Sequence, residues 1–222
     1  MIRLALLFVL ALAAPAHADP HYAIDVSSQV RWFGDTSAAI LADKPIAGPQ
    51  LTLSRQLATV DVPRRTVDLS VFGRFAFGLV DDQIFGALET SLHQYMFTGG
   101  LRGEVPLRWR FSLVGEAGLG IARTSVTITD DTDGTLMTPV DDHEWHALGT
   151  AAVGTELALL DHPAFALGLG VHVGYTLASP ISLHAYPGDR PDDARSIPTM
   201  FAAIGDLDTR GLTVSAGLRG SF

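Results

Sequence analysis

The last twelve residues of the chain, 211–222, alternate between two kinds of side chain. One parity is mostly large and apolar, with Leu212, Val214, Ala216, Leu218 and Phe222. The other parity is small or polar, with Thr213, Ser215, Gly217, Arg219 and Ser221. A repeat of two residues is the period of a β-strand. The sequence therefore predicts a final strand with two unlike faces that continues to the last residue.

The same alternation recurs along the chain. It predicts eight strands, at about 22–32, 49–58, 66–79, 93–105, 108–128, 144–159, 164–177 and 203–222. Short connections near 59–65, 106–108 and 160–163 alternate with long ones near 33–48, 80–92, 129–143 and 178–200. Two points stay open: segment 80–92 is either a loop with a helical turn or the tops of two long strands, and the last strand could be interrupted at 206–208.

Each predicted strand has the roughly nine to eleven residues that a membrane crossing needs. Short turns at one end and long loops at the other are typical of small membrane barrels. We therefore expect an all-β fold, an eight-stranded antiparallel transmembrane up-and-down β-barrel formed by residues 19–222.

Residues 1–18 have the pattern of a cleaved signal peptide. Arg3 provides a short positive region, an apolar stretch follows over residues 4–14, and Ala16 and Ala18 form a small-residue cleavage site. The apolar stretch is too short for a spanning helix, which disfavours the alternative of an N-terminal membrane anchor. We expect export through the Sec pathway.

Composition restricts the class of protein. The chain carries a formal net charge of −9, so nucleic acid is not an expected partner. It contains no cysteine, which excludes a disulfide framework. The mean hydropathy of +0.26 is high for a soluble domain, yet no run of 18 apolar residues follows the signal. Apolar residues spread by alternation suit a barrel in which every second residue faces lipid.

A soluble barrel or sandwich would show the same period, with its apolar face turned inward. Two observations favour the membrane barrel. The face opposite the large residues of strand 164–177 consists of Ala, Gly, Thr and His172, which suits a crowded lumen, and Lys44 is the only lysine. Aromatic residues near strand ends would form interfacial girdles, namely Tyr22, Trp32, Trp109, Trp145, Tyr175 and Phe222.

With these features the chain resembles the small outer-membrane β-barrel proteins of Gram-negative bacteria, the group that includes OmpA-type transmembrane domains, OmpX and OmpW. Ser215, Gly217 and Phe222 match the family's C-terminal assembly signal, whereas Gly220 stands where an aromatic residue is usual. The resemblance implies a monomer in the cell outer membrane, in contact with outer-membrane lipid and inserted by the barrel-assembly machinery.

Charged residues fall on the face that the alternation turns toward the lumen. Because buried charges must be paired, we expect a lumen ion-pair network that plugs the barrel. A gated polar conduit is the alternative. The predicted network consists of Asp25, Arg31, Asp68, Arg74, Arg102, Glu104, Arg110, Glu116, Glu156 and Arg219.

Neither a metal site nor a catalytic site is predicted. The acidic loop near residues 130–144 contains only a fragment of a calcium-binding pattern, because Thr129 replaces the first acid, so a solvated loop is favoured. Histidines and serines such as His93 and Ser91 are available, but no His-x-Ser motif of the lipid A deacylase barrels is present at His93 or His184. No cofactor is expected.

Three hypotheses for function remain. The favoured one is an integral outer-membrane barrel with a structural or surface-interaction role. The alternatives are a narrow pore for small solutes and a lipid-modifying enzyme of the outer membrane.

Overall fold

The computed structural model describes residues 22–34, 44–63, 65–84, 88–130, 137–162, 165–185 and 202–222. They form ten β-strands: β1 (Tyr22–Phe33), β2 (Ile46–Val62), β3 (Arg65–Ile84), β4 (Leu88–Pro106), β5 (Phe111–Asp130), β6 (Met137–His162), β7 (Phe165–Ala178), β8 (Ile181–Ala185), β9 (Ala202–Leu207) and β10 (Gly211–Ser221). No helix in these ranges is long and apolar enough to cross a membrane. The predicted signal peptide lies outside the described residues.

Eight of the strands close into a barrel. Their order is β1-β10-β7-β6-β5-β4-β3-β2, and every neighbouring pair is antiparallel. β8 and β9 pair only with each other and form a separate two-stranded sheet. The predicted all-β, eight-stranded up-and-down barrel is therefore confirmed.

The strands are strongly staggered. A path of paired residues that leaves Trp32 on β1 returns to the same strand at Tyr22, ten positions earlier, after crossing Leu212, Tyr175, Ala151, Ala117, Leu101, Val71 and Arg55. In a closed barrel such a stagger requires the strands to tilt against the barrel axis. With eight strands the interior is only wide enough for side chains to fill it.

Several strands are longer than predicted, and others were not predicted. In segment 80–92 the described residues belong to the tops of two long strands, since β3 continues to Ile84 and β4 begins at Leu88. The segment predicted as the longest loop contains β8, and the predicted last strand is divided into β9 and β10 by residues 208–210. Within the described residues these changes lie at the end of the barrel opposite the chain termini, which we call the loop end.

The other end, which we call the short-turn end, contains the beginning of β1, the end of β10 and the connections β2–β3, β4–β5 and β6–β7. There β1 and the chain terminus join directly, because Tyr22 and Phe222 exchange two backbone hydrogen bonds of 2.9 Å. Their rings stack with centroids 6.4 Å apart, and the guanidinium of Arg55 lies 5.6 Å from the centre of the Tyr22 ring.

An apolar belt surrounds the barrel between two rows of aromatic residues. Leu51, Leu101, Leu119, Val153 and Leu177 are among its exposed side chains. All six residues predicted to form aromatic girdles are exposed, with Tyr22, Trp109 and Phe222 at the short-turn end and Trp32, Trp145 and Tyr175 toward the loop end, where exposed Tyr95 joins them. A continuous exposed surface of this kind is stable only in lipid, because in water it would be a site of aggregation.

Beyond the belt, toward the loop end, the two faces exchange polarity. On β3, outward Leu79 is followed by exposed Asp81, while inward Val80 is buried. On β4 the large apolar side chain points outward at exposed Tyr95, whereas beyond it, at buried Leu92, it points inward. The projecting ends of β3–β6 are thus built like a water-soluble barrel, apolar inside and polar outside.

We predict that replacing Gly220 by tyrosine leaves assembly at least as efficient as in the wild type. Gly220 lies on the outward face, and an added Cβ would be 3.6 Å from the Phe165 ring, an ordinary contact. Assembly is measured as the fraction of protein that migrates as a heat-modifiable species on a gel. A marked decrease would contradict the assignment of residues 211–222 as an insertion signal.

Gly217→Ala is the matched control. A Cβ at this inward position would lie 2.3 Å from the Ser27 Cβ and 2.4 Å from the Val26 carbonyl oxygen, so β1 and β10 would have to separate. Overpacking of this kind costs about 1–3 kcal/mol. We expect a lower folded fraction on the same gel, and normal folding would show that the β1–β10 pairing tolerates the added methyl group.

Candidate functional site

The lumen is crossed by one connected group of charged side chains, with Arg102 at its centre. Arg102 is 2% exposed. Its guanidinium lies 3.1 Å from Glu116 and also contacts Glu156, with Glu104 at 3.8 Å and Asp25 at 3.9 Å. One buried cation is therefore surrounded by four carboxylates, as a low-dielectric interior requires.

Two more arginines complete this ion-pair cluster. Arg219 lies 3.3 Å from Glu156 and 3.6 Å from Glu104. Arg74 contacts Glu116 and donates a hydrogen bond of 3.1 Å to the Thr52 hydroxyl. We define the ion-pair cluster by its four carboxylates and three guanidinium groups, which belong to Asp25, Arg74, Arg102, Glu104, Glu116, Glu156 and Arg219.

His172 borders the cluster. Its Nε2 lies 3.6 Å from Glu156 Oε1. The ring occupies the space beside Gly154, where an added Cβ would be only 1.9 Å from the imidazole Cδ2. A glycine at this position is thus what allows a histidine ring to fit between β6 and β7. His172 was expected on the lumen face and was not included in the predicted network.

Two cavities lie on either side of the cluster. A cavity of about 220 Å³ at the short-turn end is lined by Asp68, Glu104, Glu156 and Arg219. A cavity of about 40 Å³ on the other side is lined by Gln50, Arg74, Glu116 and several hydroxyl groups. The larger cavity has a mainly polar lining, the smaller one is also lined by apolar side chains such as Ala76 and Met96, and both are large enough for water. Arg102 and its carboxylates lie between them, so the two do not form one continuous channel.

Toward the loop end the lumen is filled mainly by apolar side chains, with Arg31, Gln94 and Thr124 buried among them. We call this filling the apolar plug. It consists of two buried clusters, the first of Ala76, Met96, Ala122 and Leu148 and the second of Ile46, Val80, Leu92, Val126, Ile128, Ile181 and Leu207. A packed apolar filling excludes water and hydrated ions, because neither finds hydrogen-bond partners there.

The β8–β9 hairpin contributes the top of the plug. Ile181 and Leu207 are 1% exposed and pack among the residues of the barrel strands. The hairpin is connected to β6 by the Ser182 backbone N–H, which donates a hydrogen bond of 3.0 Å to the Glu144 carboxylate. After β9, the Arg210 backbone N–H donates a hydrogen bond of 2.9 Å to the Asp208 carboxylate. The hydrogen bonds from the Arg210 side chain and backbone hold the pKa of the Asp208 carboxyl below its usual value.

Arg31 lies beside the plug and apart from the cluster. It is 1% exposed, donates to Met96 Sδ at 3.2 Å and to the Gln94 amide oxygen, and lies 5.7 Å from the centre of the Phe33 ring. The described part of the chain places no carboxylate within ion-pair distance of it. A sulfur, an amide and an aromatic ring thus replace the acid that was expected to pair with this residue.

The structure brings together seven of the ten predicted network residues and separates the other three. Arg31 is in the upper lumen, as described above. Asp68 lies at the mouth of the larger cavity, where it accepts hydrogen bonds from Thr59 at 2.6 Å and Gln56 at 3.0 Å.

Arg110 requires a correction, because it does not face the lumen. The strand predicted to begin at residue 108 begins at Phe111, so Arg110 lies in the preceding turn, exposed, and donates 3.3 Å to the Leu159 carbonyl oxygen.

One polar contact outside the lumen was not expected from any motif. The Ser91 hydroxyl donates 2.7 Å to Asp81 and lies 2.8 Å from His93 Nε2. Ser91 and His93 are two residues apart on β4 and share the outward face, just beyond Tyr95 of the aromatic row. The Ser-x-His spacing was present in the sequence, but only the register Asp81↔Ser91 brings in the carboxylate.

Comparison with known proteins gives the fold and little else. No protein-family model matches the sequence, and no curated protein sequence matches it. The structure is similar to that of Neisserial surface protein A, with a TM-score of 0.50 and 12% identity, over 90% of this chain and 95% of that chain.

Two further similarities are weaker. A major outer membrane protein from Thermus thermophilus gives a TM-score of 0.49 and 14% identity, over 90% of this chain and 99% of that chain. The outer membrane enzyme PagL gives 0.41 and 13%, over 89% and 98%. Identities this low do not transfer function. The chain has the eight-stranded barrel fold of the small outer-membrane proteins.

We predict that Arg102→Met lowers the free energy of unfolding by about 3–5 kcal/mol, because it leaves buried carboxylates without their central cation. The measurement is urea unfolding in neutral detergent micelles, followed by tryptophan fluorescence. Arg110→Met is the matched control and should change stability by less than about 0.5 kcal/mol, since this residue is exposed. Similar losses in both variants would contradict the central position of Arg102.

Proposed function

We propose that the protein is an integral outer-membrane barrel with a structural or surface-interaction role and a lumen closed by side chains. In this proposal residues 1–18 direct export through the Sec pathway and are removed. The barrel-assembly machinery then inserts the chain as a monomer into outer-membrane lipid, reading Ser215, Gly217 and Phe222.

The observation that carries this proposal is that two different fillings close one lumen. The ion-pair cluster lies between the two cavities, and the apolar plug fills the loop end above them. A solute that passed the charged cluster would still meet a packed, mainly apolar core. A pore would need a continuous polar path, and both fillings oppose one.

The closed lumen leaves the projecting strand ends as the surface on which a role can depend. β3–β6 are 19–26 residues long, well beyond the roughly nine to eleven residues of a crossing. Their outward side chains above the aromatic row are polar, and Asp81, Gln83, Glu89, Asp141 and His143 are examples. This platform of paired strands is stiffer than a set of loops and suits contact with the surroundings of the cell.

We predict that the refolded protein gives no discrete conductance steps in planar lipid bilayers. The paired variant Arg102→Met/Glu156→Gln tests which filling matters, because it weakens the ion-pair cluster and leaves the apolar plug intact. It should also remain silent. Steps in the wild type would contradict the closed lumen, and steps in the variant alone would show that the cluster, rather than the plug, closes it.

A second candidate function is supported by the contacts of Ser91. A serine hydroxyl within 2.8 Å of an imidazole nitrogen is the arrangement of a nucleophile and its general base. Asp81 lies 2.7 Å from the same hydroxyl, whose single proton is donated either to the carboxylate or to the imidazole. The site lies where the aromatic row ends, at the height of lipid headgroups. An ester there would be cleaved by attack of Ser91 Oγ on the carbonyl carbon, with the Ser91 proton passing to His93 and then to the leaving alcohol. Water would then hydrolyse the acyl-Ser91 ester, releasing the acid and restoring the hydroxyl.

We predict, for this candidate, that a fluorophosphonate probe labels the folded protein on Ser91 with loss of fluoride. Ser91→Ala should abolish the labelling, whereas Ser125→Ala, the neighbour of His93 on β5, should retain it. Detection is by mass spectrometry of the labelled peptide. Absence of labelling in the wild type, or equal labelling in Ser91→Ala, would remove the enzyme hypothesis.

A further inference from the structure

The turn between β4 and β5 has an unusual backbone. Trp109 and Arg110 both adopt positive φ angles, 68° and 74°. Two successive residues in this region form the tightest hairpin turns, which normally contain Asn-Gly or similar pairs. For bulky residues such angles are strained. A turn at this position could be made without strain by other residues, so the strain indicates a purpose for the side chains.

Backbone contacts hold the turn in this conformation. The Leu107 N–H donates 2.7 Å to the Phe111 carbonyl oxygen. The Arg110 carbonyl oxygen accepts 2.8 Å from the Ala158 N–H, which ties the turn to β6. These hydrogen bonds fix the backbone of the turn, so its side chains project in one orientation.

The side chains of the turn form an exposed aromatic residue between two cations. Trp109 is 89% exposed, more than any other large apolar side chain in the described residues. Arg108 and Arg110 are exposed on either side of it. The chain as a whole carries a net charge of −9, so a basic turn departs from the general charge of the molecule.

We propose that Arg108, Trp109 and Arg110 bind the headgroups of anionic phospholipids in the leaflet at the short-turn end of the barrel. The proposal rests on the proposed membrane location. An indole ring is favoured at the boundary between headgroups and acyl chains, where its ring is apolar and its N–H is wet. Arginine binds phosphate with paired hydrogen bonds. A fixed turn makes these contacts with little further loss of entropy, which offsets its strain.

The position of the turn fits this partner. It follows Pro106 and precedes Phe111, an exposed residue of the outward face at the short-turn end. Phe165 and Phe222 are exposed at the same end of the barrel. The side chains of Arg108, Trp109 and Arg110 thus project from the edge of the apolar belt, at the height of the lipid phosphate groups.

The first experiment uses Trp109 as the only fluorophore. The chain contains three tryptophans, so Trp32→Phe/Trp145→Phe leaves Trp109 alone. The variant is refolded into phosphatidylcholine bilayers that contain a small fraction of brominated phosphatidylglycerol or, in parallel, brominated phosphatidylcholine. Heat-modifiable migration is checked in each sample, so failure of the barrel to insert is distinguished from failure of the lipid contact.

We predict stronger quenching by brominated phosphatidylglycerol at low salt, with a preference of about fivefold for each arginine that contacts phosphate. The preference should decrease in high salt. Adding Arg108→Gln and Arg110→Gln should abolish it while insertion is retained. Equal quenching by both lipids overturns the proposal, as does a preference that survives the loss of both arginines. No quenching by either lipid would also overturn it and would point to a protein partner.

The second experiment tests the strain. Trp109→Asn/Arg110→Gly supplies the residues that the backbone prefers. In neutral detergent its folding equilibrium constant should rise at least about fivefold over the wild type, because the strain is removed. In bilayers with phosphatidylglycerol it should gain less stability from the anionic lipid than the wild type gains. A variant less stable in detergent, or one stabilised equally by the lipid, would contradict the proposal.

Discussion

The fold depends on one constraint, namely that every backbone polar group within the lipid must find its partner inside the protein. A sheet meets this condition only when its first and last strands pair. Here β1 pairs with β10 from Ala23↔Ser221 to Phe33↔Gly211 without interruption, and Tyr22 and Phe222 extend the pairing to the final residue. Closure with eight strands and a stagger of ten positions leaves a narrow interior, and every inward side chain must therefore fit against its neighbours.

The interior is filled in two ways, and at each height of the barrel the surrounding medium, lipid or water, decides which filling is present. Where the outward face meets lipid, large apolar residues point outward and polar residues point inward. The contrast between the faces specifies the register, because a slip of one residue would exchange them. Beyond the aromatic row the outward face meets water, and Val80, Leu92, Val126 and Ile128 turn inward to form an ordinary dry core. The second cluster of the apolar plug is thus the core of the water-exposed part of the barrel.

The alternation of side chains was sufficient to predict the number of barrel strands, their antiparallel order and the faces within the membrane. Its limits came where the meaning of the pattern changes. The alternation continues past Leu79, but the apolar parity shifts from odd to even. Because of this shift, the pattern left open whether segment 80–92 is a loop or the tops of two long strands. Arg110 was assigned to the lumen because parity cannot detect a turn whose residues, Trp and Arg, are not those that usually mark one.

The pairing of charges was less predictable than their location. Parity placed Arg31 and Arg102 on the same inward face, yet only Arg102 has carboxylates within reach. The difference arises from the stagger, which sets which residues of distant strands share a height in the barrel. Glu116 and Glu156 reach Arg102, whereas Met96 and Gln94 reach Arg31. The sequence alone does not specify the stagger, so ion-pair partners become visible only when the register is known.

The ion-pair cluster is better explained by specificity than by stability. Replacing buried ion pairs by apolar residues is often neutral or stabilising, so the cluster is not needed merely to fill space. Its members come from β1, β3, β4, β5, β6 and β10, His172 adds β7, and Thr52 adds β2 through Arg74. All eight barrel strands therefore meet in one network. A slip of a charged strand by one position would turn its charge toward lipid, at a cost of up to about 2–4 kcal/mol for an arginine at mid-membrane depth. It would also leave the remaining charges unpaired. The cluster thus penalises every wrong register at once, which an apolar filling, tolerant of small displacements, cannot do.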